Sequence, residues 1–279
     1  MKKQIKKFAV LGHPISHSLS PQIHLLFAKE FLITLEYKKF DINPNNFLEK
    51  INFLKNEGYC GLNITLPLKN LAFDICDELS ERSSLCKSVN TITFSNNNII
   101  GDSTDGRGLI KDLSNKKINI IDKNIFLVGA GGAANGALYD LIQRKPQKIF
   151  LTNRTFTKAI EMKKYWDFFA KKNQVVLEVI DLNFPNKFYF DLIINATSSS
   201  LNSQDSPLSD IIFNCLNNKG ACYEMMYGFE TPFMKKAYKK TDLVYDGLGM
   251  LVEQAAASFN IWHQLAPSTK NIEASIKNL

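Results

Sequence analysis

Residues able to do chemistry gather in two parts of this chain. One part, Lys123 to Thr155, reads KNIFLVGAGGAANGALYDLIQRKPQKIFLTNRT. Gly129, Gly131 and Ala134 stand there as G-x-G-x-x-A, directly after the apolar run Ile125–Val128. The pattern suits a dinucleotide pyrophosphate. The first Gly allows a tight turn, the second lets the phosphates approach the backbone, and the small third residue lets helix and strand pack closely. A helix N-terminus at this point offers free N–H groups and a positive dipole. An NAD site would place an acidic residue after the next strand, Lys148–Thr152, to bind the ribose 2′-hydroxyl. This chain instead has Asn153, Arg154 and Thr155, with Lys158 close behind. A guanidinium grips a 2′-phosphate with two charge-assisted bonds; a carboxylate would repel it. Hydrogen bonds to charged groups contribute roughly 1.5–3 kcal/mol, so one such contact would favour NADP by about tenfold to a hundredfold. The plainer alternative is a strand-end turn carrying a solvated Arg.

The other part is a set of four short polar segments. They are His17-Ser18-Leu19-Ser20-Pro21, Asn63-Ile64-Thr65-Leu66-Pro67-Leu68-Lys69, Val89-Asn90-Thr91 and Gly101-Asp102-Ser103-Thr104-Asp105-Gly106. Each lies at an end of a candidate strand, where α/β proteins hold ligands. Each also has a bland alternative. Ser20 is a possible helix cap, Asn63 and Thr65 possible partners of backbone groups, Asn90 a turn residue, Lys69 a solvated helix start, and Asp105-Gly106 a turn or helix start. Together, beside a dinucleotide site, they suggest a pocket for a small polyhydroxylated acid.

The elements that must position these residues alternate between strand and helix. Expected strands are Phe8–Leu11, Leu35–Phe40 and Gly61–Leu66, with a hairpin of Val89–Phe94 and Ile99–Gly101 around Asn96-Asn97-Asn98. Expected helices are Pro21–Phe31, with Ser20 as N-cap, then Phe47–Asn56, Asn70–Ser84 and Gly106–Leu113. After the Gly-rich unit come strands at Val175–Val179, Leu192–Ile194 and Gly220–Tyr223, then helices at Met250–His263 and Thr269–Asn278. The fold class is therefore α/β: parallel sheets covered on both faces, in two domains with a cleft between them. Residues 1–105, completed by 247–279, are expected to form a substrate domain, and 106–246 a Rossmann-type cofactor domain.

Composition narrows the class. A hydrophobic content of 45% with 22% charged residues describes an ordinary globular protein, and no apolar run is long enough to span a membrane. Phe8–Leu11 reads as a strand, not a signal peptide. Cys60, Cys76, Cys86, Cys215 and Cys222 are scattered and odd in number, which implies reduced thiols in a cytoplasmic protein and no structural zinc. The net charge of +7 suits anionic small ligands. The lysines are spread along the chain with no basic stripe and no interleaved aromatics, so nucleic acid is not an expected partner.

The chain resembles the bacterial shikimate dehydrogenases, which reduce 3-dehydroshikimate with NADPH. GHPISHSLSP, NITLPLK, VNT, STDG, GAGGAA, NRT, NATS, YEMMYGFETPF and DGLGMLVEQAA carry the resemblance, in order, over nearly the whole length. It implies that Ser18 and Ser20 hold the substrate carboxylate with Tyr227 nearby. It implies that Asn63, Thr65, Lys69, Asn90, Asp105 and Gln254 meet the ring hydroxyls and the reacting oxygen, with Lys69 catalytic and Asp105 its acidic partner. It assigns NADP(H) to Gly129, Ala130, Gly131, Gly132, Ala133, Asn153, Arg154, Thr155, Lys158 and Thr197, to Met225 and Gly247 at the nicotinamide end, and more weakly to Glu81. Such an enzyme acts in the shikimate pathway toward chorismate and the aromatic amino acids, needs no metal, and is expected as a monomer or homodimer.

The chemistry of these residues agrees with the implied roles. Negative charge develops on the ketone oxygen as hydride arrives, and an ammonium at Lys69 can stabilise it and deliver a proton, help typically worth 10²–10⁴-fold. Hydroxyls and amides suit a ligand rich in hydroxyls because they both donate and accept. Some positions depart from the usual family pattern: Lys87-Ser88 for Gly-Ala, Ser103 for Asn, Ser199-Ser200 in place of an early Gly, and Glu224 for Asp. Three rivals remain. A quinate/shikimate dehydrogenase using NAD would carry an acidic residue where Arg154 stands. A non-catalytic NADP sensor would lack Lys69 or Asp105. A folate-type dehydrogenase would not need the Ser18/Ser20 pair.

Overall fold

The structure, a computed structural model, describes residues 5–182, 188–197, 199 and 205–277. Ser198, Ser200 and Asn278, which belong to motifs and a helix read from the sequence, lie outside the described residues. The chain divides into two compact units: one takes in the chain up to Gly108 and from Leu251 onward, the other is Leu109–Met250.

The first unit is built on a six-stranded sheet of β1 (Lys6–Gly12), β2 (Leu35–Asp41), β3 (Tyr59–Ile64), β4 (Glu78–Leu79), β5 (Thr91–Ser95) and β6 (Asn98–Asp102), in the order β2-β1-β3-β5-β6-β4. β1 runs parallel to β2 and β3, and β4 parallel to β6. β5 is antiparallel to both β3 and β6, so this sheet is mixed and not the parallel sheet expected. The hairpin is the cause. Asn96 and Asn97 adopt φ of 45° and 69°, the positive values a two-residue reversal between antiparallel strands requires.

Three local expectations are corrected here. The helix read over Asn70–Ser84 is broken into Lys69–Asp74 and Glu81–Cys86. Asp77 accepts from the N–H of Ile99 at 2.7 Å, and Glu78–Leu79 then pairs with β6, capturing the middle as a strand. Ser80 starts the second helix by accepting from the Ser83 N–H. β3 ends at Ile64, leaving Thr65 and Leu66 beyond the strand. Ser20 is not a helix cap: Leu19 holds that position without a side-chain bond, and Ser20 opens the helix Ser20–Glu30.

The helix Leu248–His263 lays its C-terminal half on the first sheet. Trp262 stacks on Phe8 at 4.7 Å and donates its indole N–H to the Ile92 carbonyl. A Cβ on Gly61 would sit 2.4 Å from the indole nitrogen, so only glycine admits this ring. Below the other face, Leu11, Ile51, Leu54, Leu62, Ile64 and Ile92 form a fully buried apolar core.

The second unit has a sheet of β7 (Asn124–Val128), β8 (Lys148–Thr152), β9 (Val176–Val179), β10 (Phe190–Asn195), β11 (Leu216–Glu224) and β12 (Val244–Tyr245). Its order is β12-β11-β10-β7-β8-β9 and every pair is parallel. Ile125–Val128 is buried along its length, as a central parallel strand must be. The chain order reverses between β7 and β10, the switch point at whose carboxyl end ligands bind in open α/β sheets.

Candidate active site

Lys69 and Asp105 each open a helix, Lys69–Asp74 and Asp105–Asn115. Their side chains meet: Lys69 Nζ lies 2.5 Å from Asp105 Oδ2, with 15% and 7% of the side chains exposed. An ion pair so shielded is screened little by solvent. The other oxygen, Oδ1, accepts from Asn90 Nδ2 at 2.9 Å. Asn90 is itself fixed. Its Oδ1 accepts from the Thr104 N–H at 2.8 Å and from the Thr91 hydroxyl at 2.9 Å, while Nδ2 also reaches Gln254 Oε1 at 3.1 Å. Gln254 donates back to the Leu251 carbonyl within its helix, which settles which end of its amide faces Asn90.

Asn63 extends this network. The Tyr37 hydroxyl donates to its Oδ1 at 2.6 Å, so its Nδ2 must donate, and it does, to Ser258 Oγ at 3.0 Å and the Asn90 carbonyl at 3.2 Å. Ser18 donates to Ser20 at 3.2 Å, and both are buried. Thr65 follows β3 directly and is tied to β1 through its N–H and the Leu11 carbonyl. Gly12 makes room for it, since a Cβ there would meet the Thr65 methyl at 2.4 Å. Thus Asn63, Lys69, Asn90, Asp105 and Gln254 form one continuous network, buried except at the part-exposed Lys69, with the Ser18/Ser20 pair in the same unit. Sequence reasoning missed four members. Thr91, which bonds Asn90 and Ser258, and Thr104 lay inside the VNT and STDG motifs. Ser258 sits four residues after Gln254 on one helix, a spacing that places both on one face. Tyr37 carried no signal, because only sheet order brings β2 to the Asn63 side chain. Behind it, His24 stacks on Tyr37 at 4.5 Å, and burial lowers its pKa to about 3.

In the second unit Gly129 has φ +117°, and a Cβ would fall 3.1 Å from the Ala196 carbonyl, so the turn out of β7 needs glycine. Gly131 is extended and precedes the helix Gly132–Gln143, whose first N–H groups receive no side-chain cap. No atom lies within 4 Å of a Cβ built on Gly131, and Ala134 is fully buried against the sheet. That uncapped terminus, with open space before it, is a cradle that fits a dinucleotide pyrophosphate. After β8, Asn153 donates to the Thr155 carbonyl, shaping the turn that carries Arg154. Arg154 and Lys158 are both exposed, and neither forms an ion pair among the described residues. Thr197 donates through N–H and hydroxyl to Asn195 Oδ1. The Met225 N–H binds the Asn195 carbonyl, and the Gly247 N–H binds the Met226 carbonyl. A Cβ on Gly247 would lie 2.2 Å from the Met225 carbonyl oxygen. Ala130, Gly132 and Ala133 complete the first turn. Tyr227 follows Met226 in this second unit, whereas Glu81 opens a helix of the first unit and is exposed.

Three family models match: the shikimate dehydrogenase substrate binding domain over residues 10–92, shikimate/quinate 5-dehydrogenase over 111–204, and the shikimate 5′-dehydrogenase C-terminal domain over 247–277. A protein from Vesicomyosocius okutanii named shikimate dehydrogenase (NADP(+)) is 40% identical, covering 97% of this chain and 99% of its own. The chain belongs to the shikimate dehydrogenase family. A family member of the same name from Methylobacillus flagellatus is 39% identical, over 97% of this chain and 98% of the relative. The shikimate 5-dehydrogenase of Thermus thermophilus, solved with NADP(H) and shikimate, superposes with a TM-score of 0.86 at 26% identity, covering 98% of this chain and 99% of that one.

Among the described residues no helix is long and apolar enough to cross a membrane, and no group of three His, Cys, Asp or Glu is placed to hold a metal. None of the five cysteines is in a disulfide, and burial pushes the thiols of Cys76 and Cys222 up to about 12, which disfavours the reactive thiolate.

Proposed function

We propose that this protein catalyses the reversible NADPH-dependent reduction of 3-dehydroshikimate to shikimate, in the cytoplasm. The observation that carries the reading is the shielded Lys69–Asp105 pair held in a network of hydroxyls and amides. NADPH, when bound, supplies the hydride. Gly129 to Ala133 would receive its pyrophosphate, Arg154, Thr155 and Lys158 its 2′-phosphate, and Thr197, Met225 and Gly247 its nicotinamide end. Asn153 shapes the 2′-phosphate turn.

The chain's own residues supply the rest. Lys69 donates a proton to the ketone oxygen as charge develops there, and the preorganised ammonium stabilises that charge without reorienting solvent. Asp105 aims the ammonium by fixing one of its N–H directions. Asn90 prevents the carboxylate from rotating away. Ser18 and Ser20 bind the substrate carboxylate, with Tyr227 as a further contact. Asn63, Thr65, Asn90 and Gln254 donate to and accept from the ring hydroxyls. A hydroxyl-reading site of this kind rejects analogues lacking a hydroxyl, because its buried polar groups would be left unpaired.

The test is loss of nicotinamide absorbance when 3-dehydroshikimate is added with NADPH or, separately, NADH. Rapid oxidation of NADPH alone is expected. Equal turnover with NADH would move the protein to a quinate/shikimate relative and remove the 2′-phosphate role of Arg154. No turnover with either would end the proposal.

A further inference from the structure

Glu224, the last residue of β11, has no exposed surface, and neither do Asn195 and Thr231 beside it. Its carboxyl group only accepts. Oε2 accepts from Asn195 Nδ2 at 2.8 Å and from the Thr231 hydroxyl at 2.9 Å, and Oε1 accepts from the Met226 N–H at 3.1 Å. The direction of each bond is fixed from outside. Thr231 Oγ already accepts from the Met234 N–H, so its proton is free for Glu224. Asn195 Oδ1 already accepts from the N–H and hydroxyl of Thr197, so its amide nitrogen must point at Glu224. Burial raises the carboxyl pKa, opposed by these donors. A protonated carboxyl would add one more donor to a ring of donors, so the geometry calls for the ionised form.

We infer that Glu224 is a positioning residue for the cofactor: as a carboxylate it ties the turn carrying Thr197 to the segment carrying Met225. Both segments leave adjacent strand ends at the carboxyl edge of the second sheet, and Glu224 joins them to each other and to the start of the helix Pro232–Ala237. The role rests on the reading that NADPH binds at this edge. Glutamine matches the size of Glu224 but offers acceptors on one atom only. Its NH₂ must then face either the Met226 N–H or the Asn195 and Thr231 donors, and one segment comes loose.

The experiment measures NADPH dissociation by nicotinamide fluorescence for the wild type, Glu224→Gln, and the double variant Asn195→Asp/Glu224→Gln. The double variant keeps the net charge and reverses the mispolarised bond, since the carboxylate introduced by Asn195→Asp accepts from both Thr197 and the new amide. Glu224→Gln should weaken NADPH about tenfold, with the KM for 3-dehydroshikimate at saturating NADPH within about twofold of wild type. The double variant should recover most of that loss. A wild type that binds and turns over while Glu224→Gln binds NADPH equally well overturns the role but leaves the proposed reaction standing. A wild type that does not bind NADPH overturns both. If Glu224→Gln does not fold, the double variant decides alone: folding with near-normal NADPH binding supports the positioning role, and failure to fold or to bind overturns it.

Discussion

The Asp105 carboxylate is gripped at both oxygens, by Lys69 Nζ at 2.5 Å and by Asn90 Nδ2 at 2.9 Å, so one ammonium N–H is committed and two remain to serve a substrate. Lys69→Ala removes the proton donor and leaves the hydroxyl network intact. Turnover should fall at least about a hundredfold with little change in substrate affinity. Near-normal turnover in a steady-state assay would sink the role given to Lys69.

Arg154 stands exposed on the turn after β8 without an ion-pair partner among the described residues. Arg154→Ala should weaken NADP by about tenfold or more and leave NAD nearly unchanged. Titrating both cofactors checks this; equal losses would take Arg154 off the 2′-phosphate.

Tyr37 donates to Asn63 from a buried position at the back of the network. Tyr37→Phe strands the Asn63 carbonyl and should cost about 1–3 kcal/mol of stability. The KM for 3-dehydroshikimate should also rise, because the Asn63 amide loses the bond that orients it. Denaturant unfolding and substrate titration measure the two effects, and an unchanged KM would confine Tyr37 to structure.

Gly247 has no room for a side chain, since a Cβ would press on the backbone carbonyl of Met225. Gly247→Ala must displace the Met225 segment, at a typical overpacking cost of about 1–3 kcal/mol. NADPH affinity should fall with stability, while a Gly131→Ala variant, with open space at that Cβ, should keep its melting temperature. A Gly247→Ala protein melting at the wild-type temperature would show that the segment gives way freely.

His24 is buried and neutral, held near a pKa of about 3 by burial with His263 adding to the effect. The unfolded chain takes up a proton at this residue below its ordinary value of 6.5, and the folded chain does not. The contribution is therefore complete above that value and is lost as pH falls toward the folded pKa. At pH 5 the loss from His24 is about 2 kcal/mol. His24→Phe should shrink the stability difference between pH 7 and pH 5 by about that amount. An unchanged pH slope in denaturant unfolding would mean that His24 charges freely in the fold.

Much of this was legible in the residues themselves. The apolar run Ile125–Val128, the Gly129 and Gly131 spacing and the basic turn at Arg154 act locally: a buried strand, a positive φ and a strand-end charge are set by neighbours in sequence. Lys69, Asn90 and Asp105 were visible as polar residues at the ends of strands. Their bonding was not, because contacts between segments many residues apart are decided by sheet order, which no local pattern encodes. The segment Asn70–Ser84 has helical character throughout, yet pairing with β6 turned its middle into a strand. Ser20 has the chemistry of a cap, yet the fold turned it toward Ser18. Tyr37, Ser258 and Glu224 gained their meaning only when packing buried them, because a buried polar group must find partners and thereby dictates which way its neighbours point. Residue types and near neighbours set the chemical inventory and the local turns. Sheet order and burial set the direction of the hydrogen bonds that turn the inventory into a site.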